Sequence, residues 1–172
     1  FLGWTYILTM DYDKAMEIFM KALEHSEERG DTSGIGKSLS NIGIAYNHKG
    51  EYDLALEYQN RSLRINKALN DKSSTALCLH NIGSIYADKY EYDKALKYQS
   101  DSLDIVEQLG DQSKRGLIIN NIGNVYYAQG DFDKALDYQL KSYKIKDKLS
   151  DKKGTGYSLN NIGNINYAIG NY

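Results

Sequence analysis

The stretch "NNIGN" stands at residues 120–124 and again at 160–164, and near-copies, "SNIGI" and "HNIGS", stand at 40–44 and 80–84. Asn41, Asn81, Asn121 and Asn161 are therefore 40 residues apart, and the text between them repeats with them. A fixed period of this length marks one supersecondary unit used repeatedly, each copy burying its apolar face against the next. Each copy keeps Asn, Ile and Gly side by side, and those three residues need three reasons.

Working outward, Leu39, Ile42, Gly43 and Tyr46 fall at i, i+3, i+4 and i+7 and form one apolar stripe on a helix. The stripe returns as Leu79, Ile82, Gly83, Tyr86 and as Ile119, Ile122, Gly123, Tyr126, with a shortened form, Leu2, Gly3, Tyr6, at the start. Glycine inside a helix costs about 1 kcal/mol against alanine. Its return at Gly43, Gly83, Gly123 and Gly163 predicts a second helix too close for a Cβ. Seven residues further on, Gly50, Gly130 and Gly170 suit a left-handed helix end, whereas Tyr90 in the same place is strained if its φ is positive. Acidic triplets such as "EYD" and "DFD" then open a second helix, where they favour the dipole. That helix is amphipathic through Ala55, Tyr58, Ser62, Leu63 and Ile65, and through their equivalents 40 and 80 residues later. It closes at Leu69-Asn70-Asp71, Leu109-Gly110-Asp111 or Leu149-Ser150-Asp151, where the Asp caps the next helix. The unit is helix, turn, helix, turn, and the fold class is all-α.

"LSNIGIAYNHKGEYDLA" at 39–55 resembles the tetratricopeptide repeat, with its large residue, Leu-Gly and Tyr on the first helix and Ala on the second. The resemblance covers the whole chain. A period of 40 instead of the standard ~34, and no proline after the second helix, are similar to the longer-helix variant of the Pins and kinesin light chain families. The text of residues 130–164 is similar to repeats in bacterial signalling proteins, notably sensor histidine kinases of the Bacteroidetes type. The resemblance implies a right-handed α-α superhelix, a solenoid of antiparallel helix pairs forming a single array over 1–172. In it 1–30 is a partial first repeat, 31–70, 71–110 and 111–150 are full repeats, and 151–172 is an incomplete last one. The chain has no initiator Met and stops within a repeat, so it is expected to be a fragment of a longer protein. Gln59, Gln99 and Gln139 replace the aromatic seen at Phe19, and Ser62, Ser102 and Ser142 replace Ala22, which predicts more polar packing.

Asn41 and Ile44 project roughly opposite the stripe. The resemblance places that face of the first helices on a concave groove. It would be built from Lys37, Ser40, Asn41, Ile44 and Asn47; then Leu77, His80, Asn81 and Ser84; then Leu117, Asn120, Asn121, Asn124 and Tyr127; then Tyr157, Asn160, Asn161, Asn164 and Tyr167. A side-chain amide offers a donor and an acceptor, the complement of a peptide unit, and Leu77, Leu117, Tyr127 and Tyr157 would supply pockets for alternate side chains. Two functional readings stay open. In one, the groove binds a peptide or partner protein as the sensor or scaffold part of a larger regulatory or signalling protein. In the other, the asparagines stay solvated or bond between helices, and the array is a structural spacer or self-associates through its end helices. A carboxylate clamp would need several Lys or Arg on these helices, and only Lys37 qualifies.

Other chemistry finds little support. Twenty-one Lys and Arg against 23 Asp and Glu leave no basic excess for nucleic acid or anionic lipid. No run of about 18 apolar residues predicts membrane insertion in this segment. Cys78 and His80 are two apart on a helix, and His25 and His48 lie in other helices, so no metal-ligand spacing exists. Gly154-Thr155-Gly156 lacks the Lys-Ser/Thr of a phosphate loop. No cofactor and no enzymatic activity are expected, and Cys78 reads as packing. A single cysteine fits a reducing compartment, the cytoplasm, with the periplasmic part of a membrane sensor as the alternative.

Overall fold

The computed structural model describes residues 2–170, and of Leu2 only the backbone. The described residues form nine helices: α1 Leu2–Leu8, α2 Tyr12–Glu28, α3 Thr32–His48, α4 Tyr52–Ala68, α5 Lys72–Asp88, α6 Tyr92–Gln108, α7 Gln112–Gln129, α8 Phe132–Lys148 and α9 Lys152–Ala168. The turns follow from the sequence. Asp31, Asp111 and Asp151 accept from the amides of Gly34, Lys114 and Gly154 at the starts of α3, α7 and α9, and Asp71 accepts from Ser74 at 2.9 Å. Gly50 and Gly130 end their helices at φ +79°. Tyr90 holds the equivalent place at φ +61°, a strained conformation for a side chain with a Cβ. Among the described residues no helix is long and apolar enough to cross a membrane.

The chain divides into two compact units, 1–85 and 86–172, the division falling within α5. In the first unit Ile7, Ala15, Phe19, Ile42 and Ala45 form a core, with Tyr6, Tyr12, Leu23, Tyr46 and Tyr58 packed on it. The α3–α4 pair is antiparallel: as the α4 donors advance from Gln59 to Ser62, their acceptors on α3 retreat from the Ser40 carbonyl (2.8 Å) to the Gly36 carbonyl (2.7 Å). In the second unit α7 and α8 repeat the arrangement, Gln139 donating to the Asn120 carbonyl (3.0 Å) and Ser142 to the Gly116 carbonyl (2.8 Å). The residues that replace Phe19 and Ala22 thus make cross-helix hydrogen bonds through fully buried donors on Gln59, Ser62, Gln139 and Ser142.

The glycines of the repeat sit where helices touch. A Cβ at Gly43 would lie 2.9 Å from the Gln59 amide nitrogen and 3.1 Å from the Ala55 carbonyl oxygen, and one at Gly123 2.9 Å from the Gln139 amide nitrogen. Gly163 departs from the expectation. Nothing lies within 4 Å of a Cβ built there, because no described helix packs on that side of α9. Tyrosine pairs close the α3–α4 and α7–α8 hairpins, Tyr46 on Tyr58 and Tyr126 on Tyr138, stacked with centroids 5.4 Å apart.

Candidate functional site: the first-helix face and the amides beneath it

In the first unit α3 and α5 supply the candidate residues. Lys37 and Leu77 are exposed, and Asn41, Ile44, Asn81 and Ser84 are half-buried. His80 is only 8% exposed, too deep to meet a ligand first. Asn81 reaches sideways, donating to the Ser40 hydroxyl at 3.3 Å and to Gln59 Oε1 at 3.5 Å. The Ser40 hydroxyl also donates to Gln59 Oε1, at 3.2 Å, so this cluster is closed on itself beneath the surface. Next to it, Ser62, Asn66 and Cys78 form a buried polar contact, with Asn66 Nδ2 3.4 Å from the sulfur. Burial pushes the Cys78 thiol above its usual range, opposed by hydrogen bonding from Ser62 and Asn66. Cys78 is a packed, unreactive thiol.

In the second unit α7 and α9 supply the rest. Leu117, Asn124, Tyr127, Tyr157, Asn160 and Asn164 are exposed, Asn121 and Asn161 are half-buried, and Asn120 is 8% exposed. Asn124, Tyr127, Asn161, Asn164 and Ile165 line a shallow pocket of about 40 Å³, an apolar floor with amide walls. Of the candidates, then, the structure brings four together in one concavity and sinks Asn120 under it. Asn161 Nδ2 donates to Asn124 Oδ1 (3.0 Å) and to Asn120 Oδ1 (3.4 Å), which ties α9 to α7. Asn81 and Asn161 therefore have their reason: each bridges to the preceding first helix, while Ile42 and Ile122 fill the core and Gly43 and Gly123 admit the second helix. A separate open notch of about 350 Å³ is lined by Tyr90, Glu91, Tyr92, Asp93, Lys94 and Gln129. Lys94 already pairs with Glu91 there at 2.6 Å.

Sequence reading missed Lys146 and Ser158. Lys146 is 7% exposed, donates to Asn120 Oδ1 (3.3 Å) and Ser158 Oγ (3.2 Å), and is held below the usual lysine range by loss of hydration, with Asp151 opposing. A signal was available in the register. Positions 66, 106 and 146 read Asn, Val, Lys, while 78, 118 and 158 read Cys, Ile, Ser, so polar partners occur together and apolar ones together.

Family and structural comparisons agree with this geometry. The tetratricopeptide repeat model matches residues 34–108 and 114–172, and a second model of the same description matches 1–28. No curated protein sequence matches the chain significantly. Among solved structures, a Rap protein complexed with Competence and Sporulation Factor is 19% identical with a TM-score of 0.89, over 99% of this chain and 48% of that one. The Rap conjugation gene regulator of plasmid pLS20, in complex with the Phr* peptide, is 20% identical with a TM-score of 0.87, over 98% and 47%. A putative kinesin light chain from Podosopora anserina is 17% identical with a TM-score of 0.73, over 98% and 84%. The chain thus spans about half the length of the two Rap structures. With both helices of the unit, their glycine contacts and the family match in agreement, the chain belongs to the tetratricopeptide repeat family.

Proposed function

We propose that this chain is a non-catalytic protein-interaction module that binds an extended peptide segment of a partner along the exposed face of its first helices. It would be the sensor or scaffold part of a larger regulatory or signalling protein. The observation that carries this reading is the α7–α9 pocket, in which Asn124, Asn161 and Asn164 surround Ile165 beside Tyr127. Amides that complement a peptide unit, set around an apolar floor, suit an extended backbone with one side chain inserted. The Rap regulator matched above is a complex with a peptide, which supports the reading by likeness of fold.

The test is selection from a displayed library of random 12-residue peptides. The native chain is expected to enrich peptides, and Tyr127→Ala with Asn164→Asp to lose at least about tenfold in affinity at unchanged melting temperature. Equal enrichment by the variant would move the ligand to another face.

A second reading, self-association, is favoured by exposed Tyr157, Leu159, Tyr167 and Ile169 on and just past α9. It predicts a mass that rises with protein concentration in sedimentation without any ligand.

A further inference from the structure

Beneath the α7–α9 pocket the side-chain amides are not free to turn. Lys146 Nζ is a donor with no lone pair when protonated, so the group it meets on Asn120 is the oxygen, at 3.3 Å. Gln139 Nε2 meets the backbone carbonyl of Asn120 at 3.0 Å, which can only accept, and so it also presents a donor to Asn124, whose Oδ1 lies 2.8 Å away. Asn161 therefore faces two oxygens that are already oriented, Asn120 Oδ1 and Asn124 Oδ1, and it meets both with Nδ2. Gln139 holds this orientation even though its own Oε1 is buried without a hydrogen-bond partner.

We infer that Lys146 and Gln139 are buried positioning residues that fix the polarity of the ligand face, so that Asn124 presents its Nδ2 and Asn161 its Oδ1, side by side, to the C=O and N–H of one extended ligand residue, which point to the same side. The C=O of that residue receives a donor and its N–H an acceptor. The ligand residue supplying the N–H is accordingly not proline. In the first unit the residue in the register of Asn124 is Ile44, and the corresponding amide cluster closes inward. The binding consequence rests on the groove reading proposed above; the polarity itself does not.

The experiment is side-chain amide NMR on the ¹⁵N-labelled chain. Both Nδ2 hydrogens of Asn161 are expected to exchange with solvent at least about tenfold more slowly than those of Asn164, and those of Asn124 about as fast as Asn164. Fast exchange at Asn161, or protection at Asn124 instead, would overturn the polarity. Lys146→Met and Gln139→Leu, each checked for helix content by circular dichroism, are expected to narrow the gap. Should Gln139→Leu unfold, Lys146→Gln decides beside Lys146→Met, because glutamine restores a donor and is expected to restore the protection. An unchanged gap in the folded variants would remove the anchoring role. Titration with N-acetylglycine N′-methylamide, whose glycine N–H and C=O point to one side when extended, should shift the Asn124 and Asn161 amide signals saturably, with the N-acetylsarcosine analogue, which lacks that N–H, about tenfold weaker. Equal responses would overturn the matched donor–acceptor pair. A protected Asn161 with no response to either probe would defeat the groove reading of the function while leaving the polarity standing.

Discussion

The α3–α4–α5 seam of the first unit and the α7–α8–α9 seam of the second are built on one plan with different chemistry. Each has a buried Gln on its second helix donating to a first-helix carbonyl, a buried Ser doing the same one turn later, and an Asn reaching back from the next first helix. They differ at the registers that end these bonds: Ser40, Ile44, Asn66 and Cys78 in one stand where Asn120, Asn124, Lys146 and Ser158 stand in the other. With Ser40 and Ile44 the first seam ends its hydrogen bonds indoors. With Asn120 and Asn124 the second carries them outward to the α7–α9 pocket. A shared scaffold of buried bonds thus tolerates a changed terminus, and in the binding reading proposed above the terminus decides whether amides reach the surface.

The shared part of the plan is the one whose loss costs most. Gly43→Ala and Gly123→Ala are each expected to destabilise the chain by about 1–3 kcal/mol, because the methyl would press on a buried Gln amide and, at Gly43, on the Ala55 carbonyl. Gly163→Ala meets open space and should instead stabilise by up to ~1 kcal/mol through helix propensity. Urea unfolding of the three variants reads both signs. Equal effects at all three sites would mean that the glycine repeats for some reason other than close approach.

The differing part is tested by Lys146→Met, which replaces a buried ammonium by a side chain closer to Val106 in the register before it. An apolar replacement of a buried charge is often stabilising, here by about 1–2 kcal/mol. Ser158 keeps Ser142 as a partner and Asn120 keeps Asn161, so neither is orphaned. The pH dependence identifies the cause. Folding holds the Lys146 amine below its ordinary 10.5. Between the folded and unfolded values the unfolded chain binds more protons, so stability rises with pH there. The burial cost is fully present below the folded value and fades as pH climbs through it towards 10.5. The advantage of Lys146→Met should fade over the same window, and an advantage independent of pH would assign it to packing.

How much of this could be read from the residues depends on what the repeat averages. The helix pairs, the caps and the left-handed turns are dictated by local chemistry that recurs every 40 residues, so Ile42, Gly43, Gly50 and Asp71 announce their roles. The candidate groove was legible only in outline. A helical wheel separates Asn41 from the Leu39 stripe, but it does not distinguish a first-helix position facing solvent from one facing the next helix. Asn120 is buried for that reason, against Asn161 of the next first helix. Lys146 escaped because a lysine on a second helix ordinarily reads as solvated, and its burial depends on Ser158, twelve residues away in sequence, and on Asn120, twenty-six away.

The turns give a smaller version of the comparison. Gly50 and Gly130 adopt φ +79° freely, whereas Tyr90, a residue 78% exposed, holds φ +61° with its ring in edge contact with Tyr92. Tyr90→Gly should stabilise by about 1 kcal/mol, because relief of the left-handed strain exceeds the stabilisation that the exposed ring pair provides. Weaker stability on thermal melting would show that the packing of Tyr90 on Tyr92 outweighs the strain.

The smallest effect on stability carries the sharpest test of the difference between the seams. Ile44→Asn gives the first unit the residue that Asn124 provides in the second. Ile44 is half-buried, so the apolar burial removed and the hydrogen bonds made by a new amide near Asn81 should nearly cancel, leaving a change under about 0.5 kcal/mol. The cluster it joins differs in one respect: Asn81 Nδ2 already donates to Ser40 Oγ and Gln59 Oε1, so it does not meet the new amide as Asn161 Nδ2 meets Asn124. The new Asn is therefore expected to bind N-acetylglycine N′-methylamide more weakly than the second unit's pocket does. Ile44→Asn combined with Ser40→Asn, which restores an amide in the register of Asn120, should recover part of that binding. If the single substitution alone matches the second unit, then a surface amide is sufficient and the buried anchors beneath it set nothing.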